Sequence, residues 1–114
     1  MISVIIPVYN SKLTISRCIE AVLDSDYSNY ECIVLDDSSS DGSLEIIKHK
    51  QVRVVELEGG PHGPAYVRNR GTEVASGEIL LFIDADVIIK QDTLTKIVNL
   101  FCCNPSAVAL FGSY

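Results

Sequence analysis

With 114 residues, 47% of them hydrophobic, the chain has material for a single core of ordinary domain size. Asp and Glu number 15 against 9 Lys and Arg, and the net charge of -6 with a pI near 4.7 excludes a general basic footprint for nucleic acid or anionic lipid; any phosphate must be held locally. No apolar run reaches the ~18 residues of a membrane-spanning helix. Met1 to Pro7 lacks the basic flank of a secretory signal, and none of the four cysteines stands at Cys-x-x-Cys spacing, so reduced thiols and a cytoplasmic location are expected.

The first predicted element is a buried strand, Ile2 to Pro7, closed by a proline that cannot donate to a ladder. Asn10 or Ser11 is expected to cap a helix in which Ile15, Cys18, Ile19, Val22 and Leu23 share one face. Cys32 to Leu35 is a second buried strand ending in Asp36-Asp37, and the turn residues Ser38 to Ser43 lead into a short helix that ends near His49. Val52 to Leu57 alternates poorly and carries Arg53 and Glu56, which predicts an edge strand. The loop Glu58 to Pro64 holds three glycines and two prolines, and its lone His62 is expected to be simply exposed. Pro64 suits the first turn of a helix over Ala65 to Ala75, within which Gly71 signals close packing or a bend, and Gly77 follows as a C-terminal cap.

Ile79 to Ile83 is five consecutive apolar residues, the pattern of a strand buried on both faces, and it runs directly into Asp84-Ala85-Asp86. Asp92 is expected to cap a helix in which Leu94, Ile97, Val98 and Phe101 share a face. Asn104-Pro105 stops it, and Ala107 to Phe111 is expected to form a fifth strand. Strands alternating with helices predict an α/β, Rossmann-like three-layer sandwich with a mainly parallel sheet. In the strand order 3-2-1-4, the ends at Pro7 to Asn10, Asp36 to Ser38 and Asp84 to Asp86 line one crevice at the switch point. Two carboxylates as close as Asp84 and Asp86 repel, and a hard divalent cation with diphosphate and water in its shell relieves that repulsion. Neither Gly-x-Gly-x-x-Gly nor a P-loop is present, so a pyrophosphate here needs metal and arginine.

Ser3 to Asn10, Val34 to Gly42, Gly63-Pro64-Ala65 with Arg68-Asn69-Arg70-Gly71, and Gly77-Glu78-Ile79 through Asp86 together resemble the nucleotide-binding half of the family-two inverting glycosyltransferases with the GT-A fold. The resemblance implies a nucleoside-diphosphate-sugar donor, often a UDP-sugar, with base and ribose near Pro7, Tyr9, Asp36 and Asp37. It implies Mg²⁺ or Mn²⁺ on Asp84 and Asp86, and a donor-facing role for at least one of Arg68 and Arg70. The implied reaction is direct displacement at the anomeric carbon, in which a carboxylate base takes the acceptor proton. That base and the acceptor-binding residues belong, in the family, to a segment well beyond Asp86. The expectation is therefore that residues 1–114 are the donor part of a GT-A domain without its acceptor part, able to bind donor but not to transfer. The acceptor, whether saccharide, lipid-linked or protein, is not indicated. Self-association through an apolar face or open sheet edge left exposed at Ala107 to Phe111, and a peripheral place at the membrane for a full-length protein, complete the expectations. A non-catalytic nucleotide-sugar module is the alternative. A phospho-accepting receiver domain fits less well, since it needs an acidic pair after the first strand, where Val8-Tyr9-Asn10 stands.

Overall fold

The computed structural model describes residues 1–112. Its elements in chain order are β1 (Ile2–Val8), α1 (Ile15–Leu23), β2 (Tyr30–Asp37), α2 (Ser43–Lys48), β3 (Arg53–Leu57), α3 (Pro64–Val74), β4 (Ile79–Phe82) and α4 (Thr93–Cys103). The four strands form one parallel sheet in the order β3-β2-β1-β4. The chain thus winds outward from β1 to β3, then returns across the sheet through α3 to place β4 on the other side of β1. All carboxyl ends point one way, and the reversal opens the crevice between β1 and β4.

Alternation of side chains along the strands sorts the core into two layers. Ile2, Val4, Ile6 and Val8 of β1 join Cys32 and Val34 of β2 and meet Ile15, Cys18, Ile19 and Val22 of α1, Ile47 of α2 and Leu94 of α4. The opposite face is smaller: Ile5, Ile33, Leu35 and Leu57 pack against Val67 of α3. Helices therefore cover both faces of the central strands. Gly71 explains how closely α3 approaches, because a Cβ there would stand 2.4 Å from the Ile5 Cγ2 atom. Close packing is its role.

Four local expectations change. Thr14 is the N-cap residue of α1 without a side-chain bond, while Asn10 sits in the left-handed region at φ 47° and the Ser11 carbonyl accepts from the Thr14 and Ile15 amides. Asp92 is at the N-cap of α4, but its carboxylate pairs with Lys96 at 3.1 Å instead of capping. β4 is not buried on both faces: Leu80 and Phe82 point to the α3 side, where α3 covers β1 and β2 and leaves β4 bare, and they are 36% and 44% exposed. The stretch Ala107 to Phe111 is not a strand, and Val108 and Phe111 are almost fully exposed. An apolar run becomes a strand only where a neighbour accepts its ladder bonds, and among the described residues none lies beside it. The edge position expected for β3 is found, and β4 forms the other edge.

Candidate nucleotide-sugar site

An open cavity of about 520 Å³ lies at the carboxyl end of the sheet. Pro7, Tyr9 and the loop after β1 form one wall, Asp37 with Pro61, Gly63, Pro64, Val67 and Arg68 another, and Asp84, Ala85 and Asp86 the third. Six of the eight residues singled out in the sequence therefore meet in one space: Pro7, Tyr9, Asp37, Arg68, Asp84 and Asp86. Arg70 does not. It lies two residues further along α3, which turns it away from Arg68, and it pairs with Glu73 on the surface. Asp36 is also outside the lining. Its side chain points to the α1 and α2 face, opposite to that of Asp37, because consecutive strand residues face opposite ways.

The two carboxylate pairs sit in contrasting surroundings. Asp84 and Asp86 occupy a turn closed by the Val87 amide donating to the Asp84 carbonyl, and both are exposed. Arg68 Nη2 donates to Asp84 Oδ1 at 3.0 Å, with both side chains about half-exposed. Beneath them Cys18 Sγ lies 3.5 Å from the Asp84 carbonyl oxygen, and burial, followed by the charges of Asp86 and Asp84, pushes its thiol up to about 11. Cys18 is therefore an inert thiol under an acidic rim.

Asp37 is 2% exposed and fully engaged. Its carboxylate accepts from the His62 amide at 2.9 and 2.8 Å, from the Gly63 amide at 2.9 Å, and faces His62 Nδ1 at 2.8 Å. Burial alone would raise its pKa; the hydrogen bonds from His62 and Gly63 and the charge of His62 outweigh that and hold it below the ordinary carboxylate value. Asp36 is 3% exposed, accepts from the Ser39 amide at 3.1 Å through Oδ2, and has no partner at Oδ1.

Sequence reasoning did not find the clasp that holds the β1 and β2 ends together. The Asn10 amide donates to Ser39 Oγ, the Ser40 amide to Asn10 Oδ1, the Ser11 amide to Ser43 Oγ and the Lys12 amide to Asp41 Oδ2. The left-handed turn at Asn10 aims these amides across the gap. The only signal was the run of Ser and Asp after Asp37, which reads equally well as turn chemistry. His62 is exposed as expected, but its ring also lies on Asp37 and stacks on Tyr66, the centroids 4.5 Å apart. The glycines beside it carry no hint of that pairing, which joins residues 25 apart.

A family model described as glycosyl transferase family 2 matches residues 3–114. The chain belongs to that family. It is 36% identical over 116 aligned residues to the poly(ribitol-phosphate) beta-glucosyltransferase of Bacillus spizizenii, an alignment covering 96% of this chain and 18% of that protein. Among solved structures, TarS of S. aureus in complex with UDP-GlcNAc superposes with a TM-score of 0.85 at 31% identity, covering 91% of this chain and 32% of that one. The mannosyltransferase of Pyrobaculum calidifontis in complex with GDP-Man and Mn²⁺ gives a TM-score of 0.79 at 28% identity, covering 88% and 32%. The chain thus spans about a third or less of these family members, and its fold is the α/β fold of GT-A structures.

A divalent cation fits the residues present in a limited way. Among the described residues no group of three or more potential ligands gathers at one point, so Asp84 and Asp86 could supply two ligands at most and most of the shell would come from other oxygens. Mg²⁺ and Mn²⁺ at phosphate sites are held in that manner, by one or two carboxylates with diphosphate and water.

Proposed function

We propose that residues 1–114 form the donor-binding part of an inverting glycosyltransferase that uses a nucleoside-diphosphate-sugar, with UDP-sugars preferred. The observation that carries this reading is the convergence of the β1, β2 and β4 ends on one cavity that has Asp84, Asp86 and Arg68 on its wall. The UDP-GlcNAc bound by TarS and the GDP-Man and Mn²⁺ bound by the mannosyltransferase support it.

In this reading Asp84 and Asp86 are the Asp-x-Asp carboxylates that would hold Mg²⁺ or Mn²⁺. When bound, the cation neutralises charge that develops on the departing diphosphate. Arg68 supplies the one guanidinium of the cavity lining and orients the same diphosphate through donors now shared with Asp84. Tyr9, half-exposed beside Pro7, offers a ring face to the base, and Asp37 offers an acceptor to a base N–H. Asp36 supports the β2 turn through Ser39 and is withdrawn from direct nucleoside contact. Among the described residues the carboxylates lining the cavity are Asp37, Asp84 and Asp86, and since all three have these roles we assign the general base to none of them. A reducing, cytoplasmic setting belongs to the proposal and is supported by four free thiols, two of them buried. Self-association through β4 is supported by the half-exposed Leu80 and Phe82 on that edge.

Calorimetry with UDP tests the reading. Binding is expected in Mn²⁺ and to be much weaker without divalent metal, because an acidic rim repels the diphosphate. Metal-independent UDP binding would remove the role given to Asp84 and Asp86.

A further inference from the structure

Asp37 lines the cavity, yet only 3% of its side chain is exposed, because the Gly59 to Gly63 segment lies on it. Two of the donors that cover it, the His62 and Gly63 amides, are fixed in the backbone. That segment is itself tied to β2 and β3: the Gly60 amide donates to Ser38 Oγ at 3.0 Å, and Ser38 Oγ donates to the Leu57 carbonyl at 2.7 Å. The His62 ring is different. It reaches Asp37 Oδ1 by rotation about side-chain bonds and rests on one face of Tyr66, which is itself 46% exposed.

A carboxylate has about four acceptor directions. Here three donors are in place: the His62 amide is shared between Oδ1 and Oδ2, the Gly63 amide bonds Oδ2, and the ring nitrogen faces Oδ1. A base N–H arriving from the cavity meets a carboxylate already covered by these three. The single covering donor that can leave without unfolding the loop is His62 Nδ1.

We propose that His62 is a latch over the base-binding acceptor: its ring must leave Asp37 Oδ1 before the imide N–H of a pyrimidine base can bind there. The inference rests on the assignment of Asp37 to the base in the proposed function. The groups facing His62 are the Asp37 carboxylate from β2 and the Tyr66 ring from α3, and among the described residues no other charged side chain pairs with it. A protonated imidazole holds a carboxylate more strongly than a neutral one. The latch is therefore tightest with a protonated ring, and base affinity is expected to be higher in alkali than in acid. His62 is a positioning residue here. It competes with the base and takes no part in transfer.

Uridine without metal or phosphate keeps the Asp84 and Asp86 rim out of the measurement, and chemical-shift titration of the purified chain reads millimolar affinities. The latch predicts that wild-type affinity at pH 5.5 is several-fold weaker than at pH 8. His62→Ala and His62→Phe should both bind uridine more tightly at pH 5.5 and lose the pH dependence, the phenylalanine variant keeping a ring on Tyr66. If His62 only braces the loop, His62→Ala weakens binding at both pH values and His62→Phe restores it, which overturns the proposal. A wild-type profile that is flat in pH overturns it too. Asp37→Asn separates the two layers: unchanged uridine affinity in that variant, or no uridine binding by the wild type, overturns the assignment of Asp37 and the latch with it. A loss in Asp37→Asn with no effect in the His62 variants overturns the latch alone.

Discussion

Two strands of this sheet deliver acidic residues to the same end, and they do opposite things with them. β2 ends in Asp36-Asp37, both almost fully buried, while β4 runs through Ile83 into a turn whose Asp84 and Asp86 are exposed on the cavity wall. β2 is a central strand covered on both faces, so its last residues are roofed by the loops that follow β1 and β3. β4 is an edge strand with one face bare, and among the described residues its turn's carboxylates meet the Arg68 guanidinium but no backbone amide. The contrast teaches that an acidic strand end is covered and fastened where backbone amides reach it, and stays open to solvent where they do not.

Removing the fastening should cost the most. Asp37→Ala removes the carboxylate that ties the part-buried amides of His62 and Gly63 to β2, and a loss of about 2–4 kcal/mol in urea denaturation is expected. Asp86→Ala at the exposed pair should stay within about 0.5 kcal/mol of the parent. Equal losses in the two variants would erase the distinction between the pairs.

The exposed pair, nearly silent in stability, should show in metal-dependent binding. In Mn²⁺, Asp86→Ala is expected to lower UDP affinity by at least about tenfold, the scale set even by outer-shell partners of a metal ligand. Asp84→Ala should do likewise, and unchanged calorimetric titrations would break the assignment.

Acid sharpens the comparison further. The folded pKa of Asp37 is depressed, so the stability it contributes is fully present above its unfolded value of about 3.9 and is lost as pH falls through the lower folded value. Asp37→Asn should therefore flatten the fall of stability below about pH 4, measured by thermal melts across pH 2 to 6. An acid limb as steep as in the wild type would show that other carboxylates carry it.

The smallest effects divide two arginines on one helix. Arg68→Ala should weaken UDP binding a few-fold, because Arg68 lines the cavity beside Asp84. Arg70→Ala should leave UDP binding unchanged and cost less than about 0.5 kcal/mol, since its exposed pair with Glu73 lies outside the lining. A larger effect at Arg70 than at Arg68 would overturn the placement of α3 against the site.

The order of elements, the parallel sheet and the presence of acids at the ends of β2 and β4 were all legible in the sequence, because apolar runs and helical periodicity are local patterns. So was the family, through four blocks of residues in order. Tertiary structure alone decided that Asp37 faces the cavity and Asp36 does not, since a strand's phase relative to its covering helices is set by packing against distant residues. It alone separated Arg68 from Arg70, and it alone joined His62 to Asp37 and Asn10 to Ser39 and Ser40, bonds between residues 25 to 30 apart. The apolar run Ala107 to Phe111 marks the same boundary from the other side. Its composition suits a strand, but a strand exists only where another supplies its hydrogen bonds, and a sequence pattern carries no record of whether that neighbour is there.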